Sequence, residues 1–445
     1  MKKLNYGRTF LLGFGFFGVM VIWAVYNSFV PLFLANKFNV QPAMIGFFMT
    51  IDNIAALFIQ PAVGSISDRL RTRIGRRLPF MLSAAPIAAI ALAIAPMVAI
   101  PMLNIADGAR LPLFVTCTVT FVMAMAVWRT PIVALMPDIT PSRFRSQANG
   151  VINFMGGIGS IIAFLIGARL YKINEAYPFW LGSILVIVAV LLVFIFIREP
   201  KVYEENPNAE RPNLWKSLAE LFKEKQHDAL RIFFAIFFWF VAMNAIETFF
   251  TLYANKYLGM TEADSVQILT LNSLMFVIGA LPAGYIGGRI GRKKTISIGL
   301  ALMIAIMGSI FFFTKDMLLV TLFKLPMFGN VPVVGLLLMF AGLSWSLVNI
   351  NSLPMVVDLT DAIKIGTYTG LYYLFSTLAA IAGPNINGWI VQLTGNNYSS
   401  IFIIGPIFMI AALVSILGMK GGEARQADHI FTDQVPPELE DSLKK

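Results

Sequence analysis

Between residues 9 and 419 the chain is a succession of long apolar runs joined by short polar segments. There are about twelve of them, each near the ~20 residues that carry a helix across a ~30 Å hydrocarbon core. In round limits they cover 9–35, 41–65, 78–102, 112–137, 147–170, 175–198, 230–254, 262–287, 295–314, 330–357, 366–393 and 398–419. A bilayer offers no water to unpaired backbone groups, so runs of this kind are expected as helices. Charged residues are only 13% of the chain and the mean hydropathy is +0.75. A soluble domain carries about 25% charged residues, so this chain cannot coat a water-facing surface. The expected fold class is all-α integral membrane. Pro31, Pro61, Pro131, Pro282, Pro354 and Pro384 fall inside the runs, which membrane helices tolerate when neighbours satisfy the freed backbone groups.

The net charge of +10 reads as a topology signal rather than a nucleic-acid footprint. With an internal N-terminus, 26 of the 34 Lys and Arg residues fall in inner segments, seven in outer loops, and Arg129 inside a span. That bias predicts both termini in the cytoplasm of a cell membrane. The opening MKKLNYGR has the basic flank of a signal peptide. The apolar stretch after it is too long and lacks a small-residue cleavage site, so a retained first span is expected. Residues 199–229 are polar, and Leu214, Leu218, Leu221 and Phe222 share one helical face flanked by lysines. An amphipathic helix on the inner membrane surface is expected there. The predicted divisions are a six-span half at 1–198, the linker at 199–229, a second half at 230–420 and a cytoplasmic tail at 421–445.

The halves repeat one another at an offset near 220. Gly64 opens GSISDRLRTRIGRR and Gly284 opens GYIGGRIGRKK, each between the second and third spans of its half. Asp138 in ALMPDITPSRFRSQANG answers to Asp358 in SLPMVVDLTDAIKIGTYTG, and ANKF at 35–38 returns as ANKY at 254–257. Parallel repeats build the major facilitator fold, with the substrate site between the halves. The expected architecture is therefore twelve transmembrane helices in two pseudo-symmetric halves.

The run QPAVGSISDRLRTRIGRRLPF (60–80) resembles the loop between the second and third helices of the major facilitator superfamily. Its longer form resembles the plant-type sucrose transporters and their bacterial relatives. More distantly it is similar to the glycoside–pentoside–hexuronide:cation symporters, the melibiose permease group. RTPIVALMPDITPSRFRSQANG (129–150) resembles the fourth-to-fifth helix region of the same set. The resemblance implies a proton- or sodium-coupled symporter of a glycoside such as a disaccharide. It also implies a gating loop, onto which Gly64, Asp68, Arg69, Arg73, Arg76, Arg77, Asp138 and Arg145 map, with Arg289 and Asp358 in the second half. Ion pairs among such groups can form in one access state and break in the other.

Two acids lie inside apolar runs, Asp52 near the middle of the second and Glu247 in the outer part of the seventh. An ionisable group at that depth costs several kcal/mol unless it faces water or a partner, roughly 2.5 kcal/mol or more on insertion scales. Both are candidates for cation coupling, against the blander reading of a hydrogen-bonded or interfacial acid. Their partner candidate is Arg129 in the fourth span. The melibiose group tends to carry an acid at that place near its sodium site, so a cation there favours protons. The repeat sets neutral residues, Asn272 and Asn349, opposite Asp52 and Arg129.

A sugar needs fixed polar groups beside an aromatic platform. Trp23, Tyr26, Asn27, Asn53, Trp128, Asn244, Trp345 and Asn349 are the substrate-binding candidates, beside Gln60 in the second span, Asn351 in the tenth and Tyr372 and Tyr373 in the eleventh. Each alone is as readily a helix–helix contact.

Enzymatic chemistry is not expected. Two histidines, His227 and His429, lie far apart, Cys117 is alone, and no Walker loop appears. No cofactor or metal is expected, and the expected partners are a small solute, a coupling cation and the bilayer around a monomer. MGGIGS (155–160) and AGPNING (382–388) read as close helix packing. The competing expectation is a proton-coupled antiporter exporting drugs or small metabolites, with a receptor or scramblase of the same fold as a third.

Overall fold

Length and apolarity decide the architecture: among the described residues, twelve helical segments are long and apolar enough to cross a membrane. The computed structural model describes residues 6–140, 145–199, 227–360 and 365–419. The linker expected at 199–229 therefore lies outside the described residues except at its ends, and the tail at 421–445 lies wholly outside them.

The first half contains α1 (Tyr6–Asn36), α2 (Pro42–Phe48), α3 (Ile51–Arg69), α4 (Leu78–Ala99), α5 (Asp107–Ile139), α6 (Arg145–Tyr171) and α7 (Tyr177–Phe196). The second contains α8 (His227–Leu252), a π-turn (Tyr253–Tyr257), α9 (Glu262–Gln267), α10 (Leu269–Ile290) and α11 (Arg292–Phe312). It continues through α12 (Lys315–Leu319), α13 (Val333–Asp358), α14 (Ile365–Leu393) and α15 (Ile401–Leu417). In the first half α1 packs on α6 and α7, α4 on α5 and α7, and α3 on α5. The second half repeats the scheme with α8 on α14 and α15, α10 and α11 on α13, and α11 on α15.

Two spans are broken at matching places. α2 ends at Phe48 and α3 begins at Ile51, with the Thr50 hydroxyl donating to the Phe47 carbonyl at 2.8 Å. In the second half Ile268 separates α9 from α10, where the repeat places Met49. Asp52 therefore stands in the first turn of a helix that starts inside the span, rather than in the middle of an unbroken one.

The sequence runs the tenth span from 330, but a short antiparallel hairpin precedes it. Thr321–Leu325 pairs with Gly329–Pro332, and α13 starts only at Val333. Met327 (φ 69°) and Gly329 (φ 80°) supply the left-handed backbone that so tight a reversal requires. Val331 and Val333 made this stretch read as membrane.

The halves meet along α2 with α14, α6 with α9 and α10, and α1 with α8. The first seam is a close backbone approach. A Cβ on Gly46 would lie 2.3 Å from the Pro384 carbonyl oxygen, and one on Gly388 would lie 2.6 Å from that of Pro42. Above the helix breaks, Asn385 Nδ2 donates to Thr50 Oγ1 at 3.1 Å and the Ala43 N–H donates to Gln392 Oε1 at 3.3 Å. Among the described residues, the hydrogen bonds and ion pairs that join the halves gather at the end of the bundle opposite the Arg69–Arg77 loop.

Candidate substrate and coupling site

The second-span break fixes Asp52. Its carboxylate is almost enclosed, 6% exposed, and accepts from Asn53 Nδ2 at 3.0 Å. It sits at the N-terminal end of α3, where unpaired backbone N–H groups favour a negative charge. Arg129 on α5 is the charge that faces it. The two interact through space without a direct ion pair. The guanidinium carbon of Arg129 lies 5.9 Å from the centre of the Trp23 ring on α1, a cation–π contact.

Arg129 remains exposed although it lies well inside α5 and beside Trp23. It also interacts electrostatically with the Tyr373 hydroxyl of α14, in the other half. A side chain that is solvent-accessible between α1 and α14 lines an internal space. Tyr373 is 57% exposed and its ring stands edge-on to Tyr372, at 5.3 Å and 86°. Tyr372 is in turn fixed by a 3.0 Å bond between its hydroxyl and Ser352 Oγ.

Glu247 is likewise exposed and makes no hydrogen bond or ion pair with any described residue. It lies two turns along α8 from Phe240, whose ring meets Trp345 at 5.6 Å and Tyr372 at 6.2 Å. The Glu247 carboxylate is therefore on the stripe of α8 that looks toward α13 and α14.

The other candidates divide. Asn27, Asn53, Asn244 and Asn349 are half-buried, as is Trp23. Asn244 Nδ2 donates back to the Phe240 carbonyl at 2.7 Å, and the Asn349 carbonyl accepts from Ser352. Tyr26 is 3% exposed, packed on Phe121 and Trp23, and Trp345 is 8% exposed. Trp128 is fully enclosed, so the expected stacking of its ring on a sugar is corrected: consecutive residues on a helix point about 100° apart, and only Arg129 faces inward. Asn351 is also structural, donating to the Ala283 and Leu347 carbonyls at 3.0 Å.

The basic loop forms a closed charge cluster within the first half. Arg77 Nε meets Asp138 Oδ2 at 2.9 Å, its Nη2 meets Asp68 at 2.6 Å, and its Nη1 donates to Ser67 Oγ. Arg76 binds the other Asp138 oxygen at 2.8 Å. Burial alone would lower the Arg77 pKa, but Asp138 and then Asp68 outweigh it and raise it above the ordinary arginine value. Arg69 and Arg73 are exposed, and the Arg145 side chain lies outside the described residues. Gly64 is not sterically required, since a Cβ there meets only Thr130 at 3.8 Å.

Sequence reasoning missed Glu199. Its carboxylate accepts the backbone N–H groups of Arg76 (2.8 Å), Arg77 (2.9 Å) and Leu78 (2.8 Å). It thus caps α4 where the helix dipole favours an anion. Gly75, at φ +119°, is the glycine this demands, because a Cβ would lie 2.4 Å from the Glu199 carboxyl carbon. The signal available was an acid at the end of the sixth span, which had been assigned to the linker. In the second half the arginine that meets Asp358 is Arg292, at 2.5 Å, not Arg289. Gly291 (φ 95°) turns the chain so that Arg292 starts α11 beside α13, while Arg289 is left on the exposed face of α10 over Tyr285 at 4.9 Å.

Known proteins share this fold. Multidrug resistance protein 2 of Bacillus subtilis (strain 168) is 24% identical over 65% of this chain, a match that spans 66% of that relative, just under two thirds of its length. The isoprimeverose transporter of Lactiplantibacillus pentosus is 21% identical over 85% of this chain and 77% of its own. Among solved structures, a mutant of the nucleoside transporter NupG superposes with a TM-score of 0.71 at 15% identity, covering 93% of this chain and all of that one, 100%. Two of these, the isoprimeverose transporter and NupG, are transporters. The profile of the Major Facilitator Superfamily matches residues 12–384, and the chain belongs to that superfamily.

Proposed function

We propose that this transporter carries a glycoside, such as a disaccharide, together with a proton by alternating access. The observation that carries the reading is the Asp52–Arg129–Trp23 arrangement. An enclosed carboxylate stands at a mid-span helix break, electrostatically coupled to an exposed guanidinium stacked on an aromatic ring. A carboxylate that gains a proton stops attracting the arginine, whose donors can then turn to solute hydroxyls. Proton binding and solute binding are linked through one side chain. Trp23 offers the aromatic platform, and Tyr373 completes the space from the other half. Asn27, Asn53, Asn244 and Asn349 supply half-buried amides suited to a neutral polyol. The similarity to an isoprimeverose transporter supports the sugar.

In this reading both termini and the basic end face the cytoplasm, by the lysine and arginine bias. The Asp68–Arg77–Asp138–Glu199 cluster ties the first half into a unit that moves as one, and Arg292–Asp358 does so in the second. The chain acts as a monomer.

Glu247 favours a second reading. An exposed, unpartnered carboxylate in the same interior would attract a cationic compound, and one relative is a multidrug resistance protein. Export of drugs or small metabolites in exchange for protons follows from that chemistry.

The test is solute-driven ion movement in proteoliposomes, with sucrose, maltose, melibiose and raffinose offered in turn and internal pH recorded. Proton influx driven by one sugar, and lost in Asp52→Asn, supports the symporter. No movement with any sugar, with or without sodium, together with dye extrusion driven by a proton gradient, supports the antiporter.

A further inference from the structure

The repeated motif ANKF/ANKY has no part in the site above, yet the fold brings its two copies together. Asn36 Nδ2 donates to Asn255 Oδ1 at 3.1 Å, so residues related by the repeat meet on the axis between the halves. The same amide donates to one oxygen of Glu262, whose other oxygen accepts the Tyr171 hydroxyl. Asn255 is carried on the π-turn at Tyr253–Tyr257, and its own Nδ2 donates to the Met260 carbonyl at 2.9 Å. A π-turn widens the helix and turns a side chain out of its usual register, here toward the axis.

Further bonds cross the same seam around this centre. Lys172 pairs with Asp264 at 2.6 Å, and Arg169 donates to the Met327 carbonyl at the hairpin tip. The tip is tied to α9 through Gln267 Nε2 and the Phe328 carbonyl at 2.9 Å. The ends of α1 and α6 are thereby fastened to α8, α9 and the hairpin. By contrast the α2–α14 seam at this end is chiefly a matter of shape, with glycines against backbone.

We infer that Asn36, Asn255, Glu262 and Tyr171 form a gate that holds this end of the bundle shut, and that its strength sets the balance between the two access states. The inference rests on the alternating-access reading but not on the solute or the coupling ion. For this end to open, the amide pair and both bonds to the Glu262 carboxylate must break. Bonds to a carboxylate are about twice as strong as neutral ones. A bistable element biased by a few such bonds shifts population when one is removed. Lys37 and Glu175, paired at 2.7 Å at the same end, both belong to the first half and do not cross the seam. They provide the control.

The test is thiol accessibility in right-side-out and inverted membrane vesicles, in a Cys117→Ser background with Tyr373→Cys as the interior reporter. Asn36→Ala combined with Asn255→Ala, and separately Glu262→Gln, should raise labelling by an impermeant maleimide from the gate end at least about fivefold, the effect of one net hydrogen bond. Labelling from the basic end should fall, and Lys37→Ala should leave both rates unchanged. Rates equal to the background at both faces would overturn the gate. As a variant that keeps the contact, Asn36→Cys with Asn255→Cys joined by a short cleavable thiol cross-linker, installed before the reporter is exposed, should block labelling from the gate end until reduced. Unchanged labelling after cross-linking would also overturn it. Labelling that responds, with no sugar moved by the unsubstituted protein, would keep the gate and remove the proposed symport.

Discussion

Arg129 and Trp23 come from different helices, α5 and α1, and meet with the guanidinium carbon 5.9 Å from the ring centre. The contact holds the arginine beside the ring, where it also interacts electrostatically with Tyr373 of the other half. An ammonium cannot reproduce it: lysine is a point charge without a plane to stack or a fork to bind two oxygens. Arg129→Lys should raise the KM for the solute roughly fivefold to tenfold, since the stacking alone is worth about 1 kcal/mol. Trp23→Ala should act in the same direction. Uptake kinetics in the two variants, compared at equal protein in the membrane, decide it, and an unchanged KM in both would remove the stack from solute recognition.

Asp52 makes a different kind of contribution. It is 6% exposed and held by Asn53, so it is poorly placed to touch a solute and well placed to hold a proton. Asp52→Asn mimics the protonated side chain at similar volume. Accumulation against a gradient should vanish while solute exchange across the membrane persists at a substantial fraction of the unmodified rate. Wild-type accumulation ratios in this variant would contradict the coupling role.

The sequence made the fold legible because hydrophobic run length, loop charge and a duplication all point the same way. The site was legible only in part. Asp52 and Arg129 announce themselves, since a charge in an apolar run has few structural reasons to exist. Trp128 was misread because aromatic residues serve core and cavity alike, and one residue's step around a helix separates it from Arg129. Glu199 was missed because its role depends on where the start of α4 lies in space, more than 120 residues earlier in the chain, which no local pattern encodes. Arg292 displaced Arg289 because the second loop is shorter and Gly291 resets the direction of the chain.

Glu199 should matter for folding. It satisfies three backbone donors at the first turn of α4 and carries the charge the helix dipole favours there. Losing such a cap costs about 1–2 kcal/mol. Glu199→Ala should lower the detergent-solubilised melting temperature by several degrees, whereas Arg73→Ala, at an exposed position in the same loop, should leave it unchanged. Equal melting temperatures would show that the cap is dispensable.

Trp128 gives the complementary case. Its ring is fully enclosed and its Nε1 has no hydrogen-bond partner among the described residues. Trp128→Phe removes that buried donor but also leaves a cavity, and large-to-small changes in a core cost a few kcal/mol, roughly 1–3 here because the phenyl ring fills most of the space. Part of that cost is returned by removing the unsatisfied group. The variant should therefore show a modest loss of thermal stability with a solute KM equal to the unmodified protein's. A KM several times higher, with stability intact, would mean that the ring reaches the solute in another access state.

The seam between α2 and α14 can be tested by volume alone. A Cβ at position 46 would lie 2.3 Å from the Pro384 carbonyl oxygen, which belongs to backbone and cannot swing aside. Gly46→Ala must push the two helices apart at the gate end. Gly64→Ala adds the same methyl group where the nearest neighbour is 3.8 Å away, in ordinary contact. Both changes favour a helix over glycine by about 1 kcal/mol, so propensity cancels in the comparison. Gly46→Ala should shift the interior toward opening at the gate end, seen as faster labelling of the Tyr373→Cys reporter from that side, and Gly64→Ala should not. Equal labelling in the two variants would mean that the α2–α14 approach yields under small strain and that closure is held by the hydrogen-bonded gate alone.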